Sequence, residues 1–445
     1  MGRPSKARSL TVWMNGEQVG TWSLPARGPQ QFSYAESWLK SSQFRPLSLS
    51  LPAGLGSSAL SGNAVESWFD NLLPDSDAIR RRAQARFRAA STSAFDLLAA
   101  VGRDCAGAVQ LLPPDEVPSG IDRIEARPLS NQEIGHRLRA VTATPVPGSL
   151  GPEPDELRLS VAGAQEKTAF LLHNNEWCLP LGSTPTTHLF KLPMGVIGEG
   201  QIDFSTSIDN EWLCSKLLRA YGLPMAATEI AHFDGERCLV VQRFDRRLHA
   251  SGSYWLRLPT EDCCQATATP AANKYENNGG PGMAAITELL AQSSERNDLA
   301  TFFKAQVLFW MLRAIDGHAK NFSLFLNPGG RFQLTPLYDV LSAWPVIGRR
   351  SNQWPQQKLK MAMAWFGGKG RYYKPLEITG RRMLGTAKRL GLGDAQTILN
   401  ELIANTPSAI AAVQPQLPAD FPPAVSEAVF TGLQTSADQL ERELI

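Results

Sequence analysis

No stretch of this 445-residue chain approaches the roughly 18 uninterrupted apolar residues that a membrane-spanning helix requires, so no membrane span is expected. Met1-Gly2-Arg3-Pro4-Ser5-Lys6 leads into no apolar region, which argues against a secretory signal, and Lys6 breaks the myristoylation pattern. The six cysteines (105, 178, 214, 238, 263 and 264) include no Cys-x-x-Cys pair and no histidine at ligand spacing. The adjacent Cys263 and Cys264 make a poor structural disulfide, so reduced thiols and a cytoplasmic location are expected. Charge of one sign is also scarce. A formal net charge of +2 at pH 7 means that any nucleic-acid contact must be local rather than a property of the whole surface. Neither a Walker pattern nor Gly-x-Gly-x-x-Gly occurs. What is present is ample apolar material, 43% of residues against 19% charged, enough for a large core and two or three domains.

Four segments are expected. Residues 1–112 read as a small α/β unit. Leu10–Met14 and Gln18–Leu24 flank Asn15-Gly16, the dipeptide that best tolerates the positive φ of a two-residue hairpin turn. Asn63 is placed as the cap of a helix carrying Val65, Trp68, Phe69 and Leu72. Pro74 ends that helix, and Asp75 or Ser76 starts the next. The arginines 80, 81, 82, 86 and 88 mark a solvated helix face or a partner surface. Residues 113–156 are proline-rich with little periodicity, and read as a linker or exposed excursion. Residues 157–260 hold strand-like segments (168–172, 177–181, 187–192, 229–233 and 237–244) and a helix that Asp209 is expected to cap, closed by Gly222 and Pro224. From Asp298 the pattern reads as mostly helical, within a final segment 261–445. Strands first and helices last give an α+β class, a small sheet-bearing lobe on a helical one.

The chemistry-bearing residues fall in order along this frame. Asp316 and Asn321 sit five apart in Asp-Gly-His-Ala-Lys-Asn, and Asp339 follows in Tyr338-Asp339. Phosphoryl transfer from a nucleotide needs a carboxylate to orient the attacking hydroxyl, an amide that can hold magnesium, and a second carboxylate to anchor the metal on the phosphates. The spacing is that of a protein-kinase catalytic loop, without the usual His-Arg before the aspartate. Ser160-Val161-Ala162-Gly163-Ala164-Gln165-Glu166-Lys167 is rich in small residues and leads into a strand. It is either an ordinary turn or a loop whose N–H groups approach phosphate oxygens, with Lys167 adding charge. Lys191, in an apolar strand, must snorkel from an edge or meet a negative partner. Glu211 is the candidate partner, unless it serves a capping box. Gln242-Arg243-Phe244 ends a strand where a hinge would offer backbone groups to an adenine, or is simply a buried strand end. His318 is either structural or in contact with substrate. Asp339 is expected to follow a short strand, 334–338.

Together these segments resemble the HipA family of bacterial toxin serine/threonine kinases. The resemblance is carried by Ser160–Thr168, Gln242–Arg247, Asp316–Ser323 and Tyr338-Asp339, and by Trp13–Gly16, Arg45–Pro52 and Phe69–Asp75. It covers nearly the whole chain and implies a protein-kinase-like two-lobed fold with a small N-terminal α/β subdomain and a mainly helical C-terminal lobe. It also implies ATP- and Mg2+-dependent phosphorylation of a serine on a protein, glutamyl-tRNA synthetase or another translation component. A HipB-like helix-turn-helix antitoxin would neutralise the toxin and bind operator DNA with it. On matching positions Asp316 would be the catalytic base, with Asn321 and Asp339 as magnesium ligands. Ala162–Lys167 and Lys191 would hold the phosphates, Gln242–Phe244 would meet the adenine, and His318 and Tyr338 would belong to the nucleotide site. Ser160 would be the autophosphorylated residue whose modification ejects the loop.

Residues 349–392 carry eleven Lys/Arg against the single Glu377, including Arg381 and Arg382, a charge balance that suits phosphate contacts with DNA. Two other readings stand beside the kinase: a scaffold or corepressor in an antitoxin–DNA complex, and a small-molecule phosphotransferase. The complete set Asp316, Asn321 and Asp339 speaks against a dead enzyme.

Overall fold

The structure, a computed structural model, describes residues 8–54, 59–142, 159–160, 162–163, 165–198, 202–368 and 370–444. Asn15 and Gly16 take φ of 47° and 86° and join the antiparallel strands Arg8–Met14 and Glu17–Leu24, as the dipeptide requires. Gln31–Tyr34 with Leu60–Ser61 extends this sheet on one side, and Val109–Leu112 on the other. The helices Asn63–Asp70 and Ala94–Val101 bury Val65, Trp68, Phe69, Phe95 and Leu98 in the same core. Trp22 stacks flat on Phe69, centroids 3.9 Å apart. Asn63 is the first helical residue and Gly62 precedes it as the cap, one position earlier than the sequence suggests. The arginine-rich helix Asp77–Phe87 starts at Ser76, whose side chain accepts from Ile79 N.

The second sheet has six strands in the order Thr228–Phe233, Glu236–Gln242, His188–Lys191, Lys167–His173, Glu176–Pro180, Ala126–Pro128. Its last strand comes from the proline-rich stretch, which is therefore no bare linker. Asn131–Thr142 of the same stretch is helical, and its Ile134 and Leu138, four apart on one face, pack with Phe170, Phe190 and Phe233. Two apolar residues at helical spacing are too few to stand out among prolines. The remainder of the stretch, 143–156, lies outside the described residues. The helix Ser207–Ala220 begins before Asp209; that carboxylate pairs with Arg237 instead of capping.

The helical lobe is built on Asp298–Leu312, buried on nearly every face, with Ala395–Val413 and Pro423–Leu444 packed around it. Between Arg313 and Thr379 the chain runs in short strands and single 3-10 turns, where the sequence reads as mostly helical apart from the Asp316 loop and a strand at 334–338. Trp365 fills this irregular region as core, and the half-buried Trp344 packs on Gly432 and donates to Met311 O. Apolar content alone does not distinguish such packing from helix. Among the described residues no helix is long and apolar enough to cross a membrane, and all six cysteines are free and buried.

One buried ionic cluster ties the first unit to the second sheet. Asp104 Oδ1 meets Arg246 at 2.8 Å and Arg257 at 3.4 Å, and its Oδ2 meets Arg243 at 3.4 Å and accepts from Thr186 Oγ1 at 2.7 Å. Asp245 pairs with Arg243 at 2.8 Å and accepts from Gly107 N at 2.7 Å. Burial opposes the charge on Asp104, but Arg246, Arg243 and Arg257 outweigh it and hold the carboxyl well below the usual carboxylate range. Replacing Asp104 with Asn leaves three buried guanidinium groups facing a single carboxylate. We expect a loss of about 3–5 kcal/mol in urea unfolding, whereas Glu36→Gln at an exposed helix pair leaves the midpoint in place. An Asp104→Asn protein as stable as the parent would show that the cluster does not hold the units together.

Candidate active site

Lys191 lies on an interior strand, paired on one side with Lys167–His173 and on the other with Glu236–Gln242. It cannot snorkel from there. Its ammonium donates to Glu211 Oε1 and to Asp339 Oδ1, each at 2.6 Å. Glu211 comes from the helix Ser207–Ala220 and Asp339 from the helical lobe, so this cation bridges both lobes. Burial alone would strip the lysine of its proton, yet the two carboxylates hold it above the ordinary lysine range. Asp339 is held well below its usual range, because Lys191 and Lys167 outweigh the cost of burial. Its backbone has φ of 60°, a left-handed conformation rare outside glycine that re-aims the chain just past Tyr338. The strand expected at 334–338 is displaced to Phe332–Leu334. Leu337 instead forms a single bridge with Met225, its N–H reaching Pro224 O at 2.8 Å.

Asp316 emerges after the buried helix ends at Arg313, which takes the left-handed cap conformation. Its carbonyl accepts from His318 N and from Asn321 Nδ2, both at 2.8 Å. With its amide nitrogen committed there, Asn321 keeps its side-chain oxygen as the acceptor left to offer a cation. The Asp316 carboxylate is 59% exposed. His318 is buried, which lowers its pKa and keeps it neutral, and its Nδ1 has no hydrogen-bond partner. A buried nitrogen of that kind is costly to leave alone, and a bound ligand atom would satisfy it.

The small-residue loop lies on the Asp339 side of this site, where Lys167 feels the Asp339 charge. Lys167 faces Lys191 directly across the ladder, so both side chains point to one face of the sheet. Lys167 Nζ donates to Ala162 O at 2.6 Å. Gly163 has φ of 118°, a conformation that favours glycine, and a Cβ there would press on the end of the Lys167 side chain, 2.4 Å from Nζ. Gln165 Nε2 donates to Leu192 O at 2.6 Å. Ala164 lies outside the described residues. The first unit fastens the loop at several points. Gly163 bridges to Pro74 and accepts from Asp75 N at 3.3 Å, and Glu166 pairs with Arg82. Ser160 is 1% exposed; its hydroxyl donates to Leu72 O at 2.8 Å, and its carbonyl accepts from Ala106 N at 3.2 Å.

On the far side, Phe244 and Tyr338 place their rings 5.5 Å apart, and the exposed Gln242 ends the strand beside them. The hydroxyl of Tyr338 is turned inward, donating to Lys320 O at 2.8 Å, so only its ring faces this wall. The Arg243 guanidinium is buried with Asp104 and Asp245, and a ligand at the hinge would meet only its backbone. Arg381 is exposed on the helix Gly380–Arg389, remote in sequence from these loops, while Arg382 stacks over Tyr372 at 3.8 Å and donates to Glu377 O. The structure adds neighbours that the sequence reading did not single out. Tyr275 donates to Asp316 Oδ1, and Lys274 pairs with Asp75 at 2.7 Å. The glycine-dense run Gly279-Gly280-Pro281-Gly282 after Tyr275 was the available signal of a tightly built turn.

Two lysines and the turn N–H groups on one side of an acid pair suit a polyphosphate, and one carboxylate plus one amide oxygen is the sparse oxygen donor set that magnesium takes alongside phosphates and waters.

Comparisons with known proteins show the family and the fold. The HipA N-terminal domain matches residues 10–112 and the HipA-like C-terminal domain matches residues 159–410. "Putative kinase Y4mE" of Sinorhizobium fredii is 33% identical over 414 residues, 91% of this chain and 92% of that one. The serine/threonine-protein kinase toxin HipA of Shewanella oneidensis is 28% identical over 356 residues, 76% of each chain. A solved structure of the Shewanella oneidensis HipA, HipB and operator DNA complex superposes with a TM-score of 0.76 at 24% identity, covering 98% of both chains. The fold is thus the two-lobed, kinase-like α+β fold.

Burial, then the neighbouring Lys191, pull the Lys167 ammonium down to about 8, against the opposing pull of Asp339, Asp75 and Glu211. A polyphosphate raises that value, so binding takes up a proton above about pH 8 and affinity falls as pH rises. We expect ATP affinity to drop between about pH 8 and 9.5, at up to tenfold per unit, with calorimetric heats that vary with buffer ionisation enthalpy. Lys167→Met should flatten the profile; a parent affinity constant over that range would remove Lys167 from the cradle.

Proposed function

The chain belongs to the HipA family, and from that premise we propose that it is an ATP- and magnesium-dependent serine/threonine-protein kinase, the toxin of a toxin–antitoxin pair. The observation that carries this reading is Lys191 held between Glu211 and Asp339 at 2.6 Å each, beside Asp316 and Asn321 on the neighbouring loop. Lys191, Lys167 and the N–H groups of residues 162–167 bind the phosphates of ATP. The adenine lies against Phe244 and Tyr338 and bonds to the backbone of residues 242–244. Asp339 and the side-chain oxygen of Asn321 hold magnesium, which when bound neutralises charge on the phosphates. Asp316 orients the acceptor hydroxyl and takes its proton, and His318 Nδ1 finds its partner in the bound substrate.

The protein target is glutamyl-tRNA synthetase or another translation component. The partner is a HipB-like helix-turn-helix antitoxin, with which the chain binds operator DNA and represses its own operon; exposed Arg381 in the basic segment 349–392 is a contact for that DNA. Arg382 serves there as a brace for Tyr372 rather than as a free cation.

Ser160 is the autophosphorylation site. A phosphate adds roughly −1.5 to −2 charge, and the buried site under Leu72 has no room for it. Modification therefore requires the loop to leave the first unit, and the modified loop cannot return to cradle ATP.

Asp316→Asn should abolish phosphate transfer while nucleotide affinity stays within about threefold, and Asp339→Asn should weaken magnesium-dependent nucleotide binding as well. Turnover of labelled ATP by Asp316→Asn at the parent rate would sink the assignment. Mass spectrometry after incubation with Mg-ATP should find phosphate on Ser160, and that form should bind ATP about 100-fold more weakly, a difference of about 2.7 kcal/mol. An active enzyme that never modifies Ser160, or a modified one that binds ATP normally, would refute the switch.

A further inference from the structure

We propose that Tyr275 is a positioning residue for the transfer step: its phenol holds one oxygen of the Asp316 carboxylate and so presents the other to the acceptor hydroxyl. This rests on reading Asp316 as the base. The backbone of Asp316 is pinned through its carbonyl by His318 N and Asn321 Nδ2, but its side chain is 59% exposed. A carboxylate in water samples rotamers freely unless something holds it. Two groups approach it. His318 Nε2 is 3.9 Å away, too far for a hydrogen bond, and the Tyr275 hydroxyl donates to Oδ1.

Tyr275 is suited to that task by chemistry and by mounting. Burial, reinforced by the negative charge of Asp316, pushes its phenol well above the ordinary tyrosine range, so it remains a donor and does not compete for the proton. Its ring meets His318 edge-on, centroids 5.0 Å apart at 88°. Its carbonyl accepts from Asn278 N and Gly280 N, both at 3.0 Å. On either side, Lys274 is anchored to Asp75 at 2.7 Å and Glu276 N to Ala362 O at 3.2 Å. A Cβ on Gly280 would lie 1.9 Å from Asn273 O, and one on Gly282 would lie 2.1 Å from the Glu276 carboxyl carbon. The turn closes only around glycine at 280, where the clash is with backbone, and is packed against the Glu276 carboxyl at 282; its effect is to fix where the phenol points.

In the transfer itself the acceptor oxygen bonds to the γ-phosphorus while the bond from that phosphorus to its bridging oxygen breaks. ADP departs with the electron pair. The acceptor's proton passes to Asp316 Oδ2, and Tyr275 keeps its own throughout.

Tyr275→Phe removes only the hydroxyl. Phosphate incorporation from labelled ATP, into glutamyl-tRNA synthetase and into the chain itself, should fall about 10- to 100-fold in kcat, the scale expected of a misoriented reacting group. The KM for ATP and the nucleotide Kd should stay within about twofold. In an Asp316→Asn background, adding Tyr275→Phe should change nothing further. Tyr275→Gln, which keeps a donor, should retain more activity than Tyr275→Leu, a comparison that stands even if the phenylalanine protein folds poorly. A Tyr275→Phe enzyme at the parent rate or faster overturns the proposal, as does equal activity of the Gln and Leu variants. Parent-level transfer by Asp316→Asn overturns the reading of the base instead, and a parent chain that transfers no phosphate overturns both.

Discussion

The geometry of this protein hangs on one buried cation with two anionic partners. Lys191 sits on an interior strand with its ammonium out of water, and an unpaired charge there would cost several kcal/mol. Its partners come from different places: Glu211 from the helix packed on the sheet, Asp339 from the helical lobe. The lobes therefore cannot separate fully without stranding a charge. Glu211 Oε2 lacks a hydrogen-bond partner, and Asp339 keeps 31% of its side chain exposed. The cluster is closed on the Glu211 side and open on the Asp339 side, where a metal and phosphates would enter.

The small-residue loop is less a part of the sheet lobe than a seam between that lobe and the first unit. Ser160 hangs from Leu72 and Ala106, Gly163 from Pro74 and Asp75, and Glu166 from Arg82. Asp75 also receives Lys274, next to the residue that steadies Asp316. The turn at 72–75 thus touches both the phosphate side and the acceptor side of the site. The Asp104 cluster makes a second seam between the first unit and the strand end at Gln242. A unit without catalytic groups of its own holds loop, hinge and acceptor turn in one frame.

Much of this was legible in the sequence, for physical reasons that differ by residue. Asn15-Gly16 declares its hairpin because few other dipeptides tolerate those angles, and both residues have positive φ. Lys191 was conspicuous because lysine in an apolar strand needs a partner, and of the two roles open to Glu211 the ion pair is the one formed. The misses share a cause. Asp209 looked like a cap because its pairing with Arg237 is a long-range contact that local pattern does not encode. Asn131–Thr142 was hidden by prolines and carries only two deeply buried anchors. Much of 340–379 was read as helical because its apolar content serves irregular packing around Trp344 and Trp365. Tyr275 had no motif, since its meaning comes from a carboxylate 41 positions away.

Two aspartates of similar chemistry end in opposite surroundings, and that contrast gives each its part. Asp339 lies among ammonium groups, its charge fixed by Lys191 and Lys167, which suits a residue that must stay anionic to hold a metal. Asp316 stands at the loop surface, approached by a phenol and a neutral imidazole rather than paired to a buried cation. A carboxylate locked in a salt bridge would be a poor proton acceptor, because its pair stabilises the charged form it must give up. On the proposed reading, the fold keeps its strong ionic contacts for the metal side and weaker, directional ones for the acceptor side. That arrangement would separate holding the phosphates from accepting the proton within a single cleft.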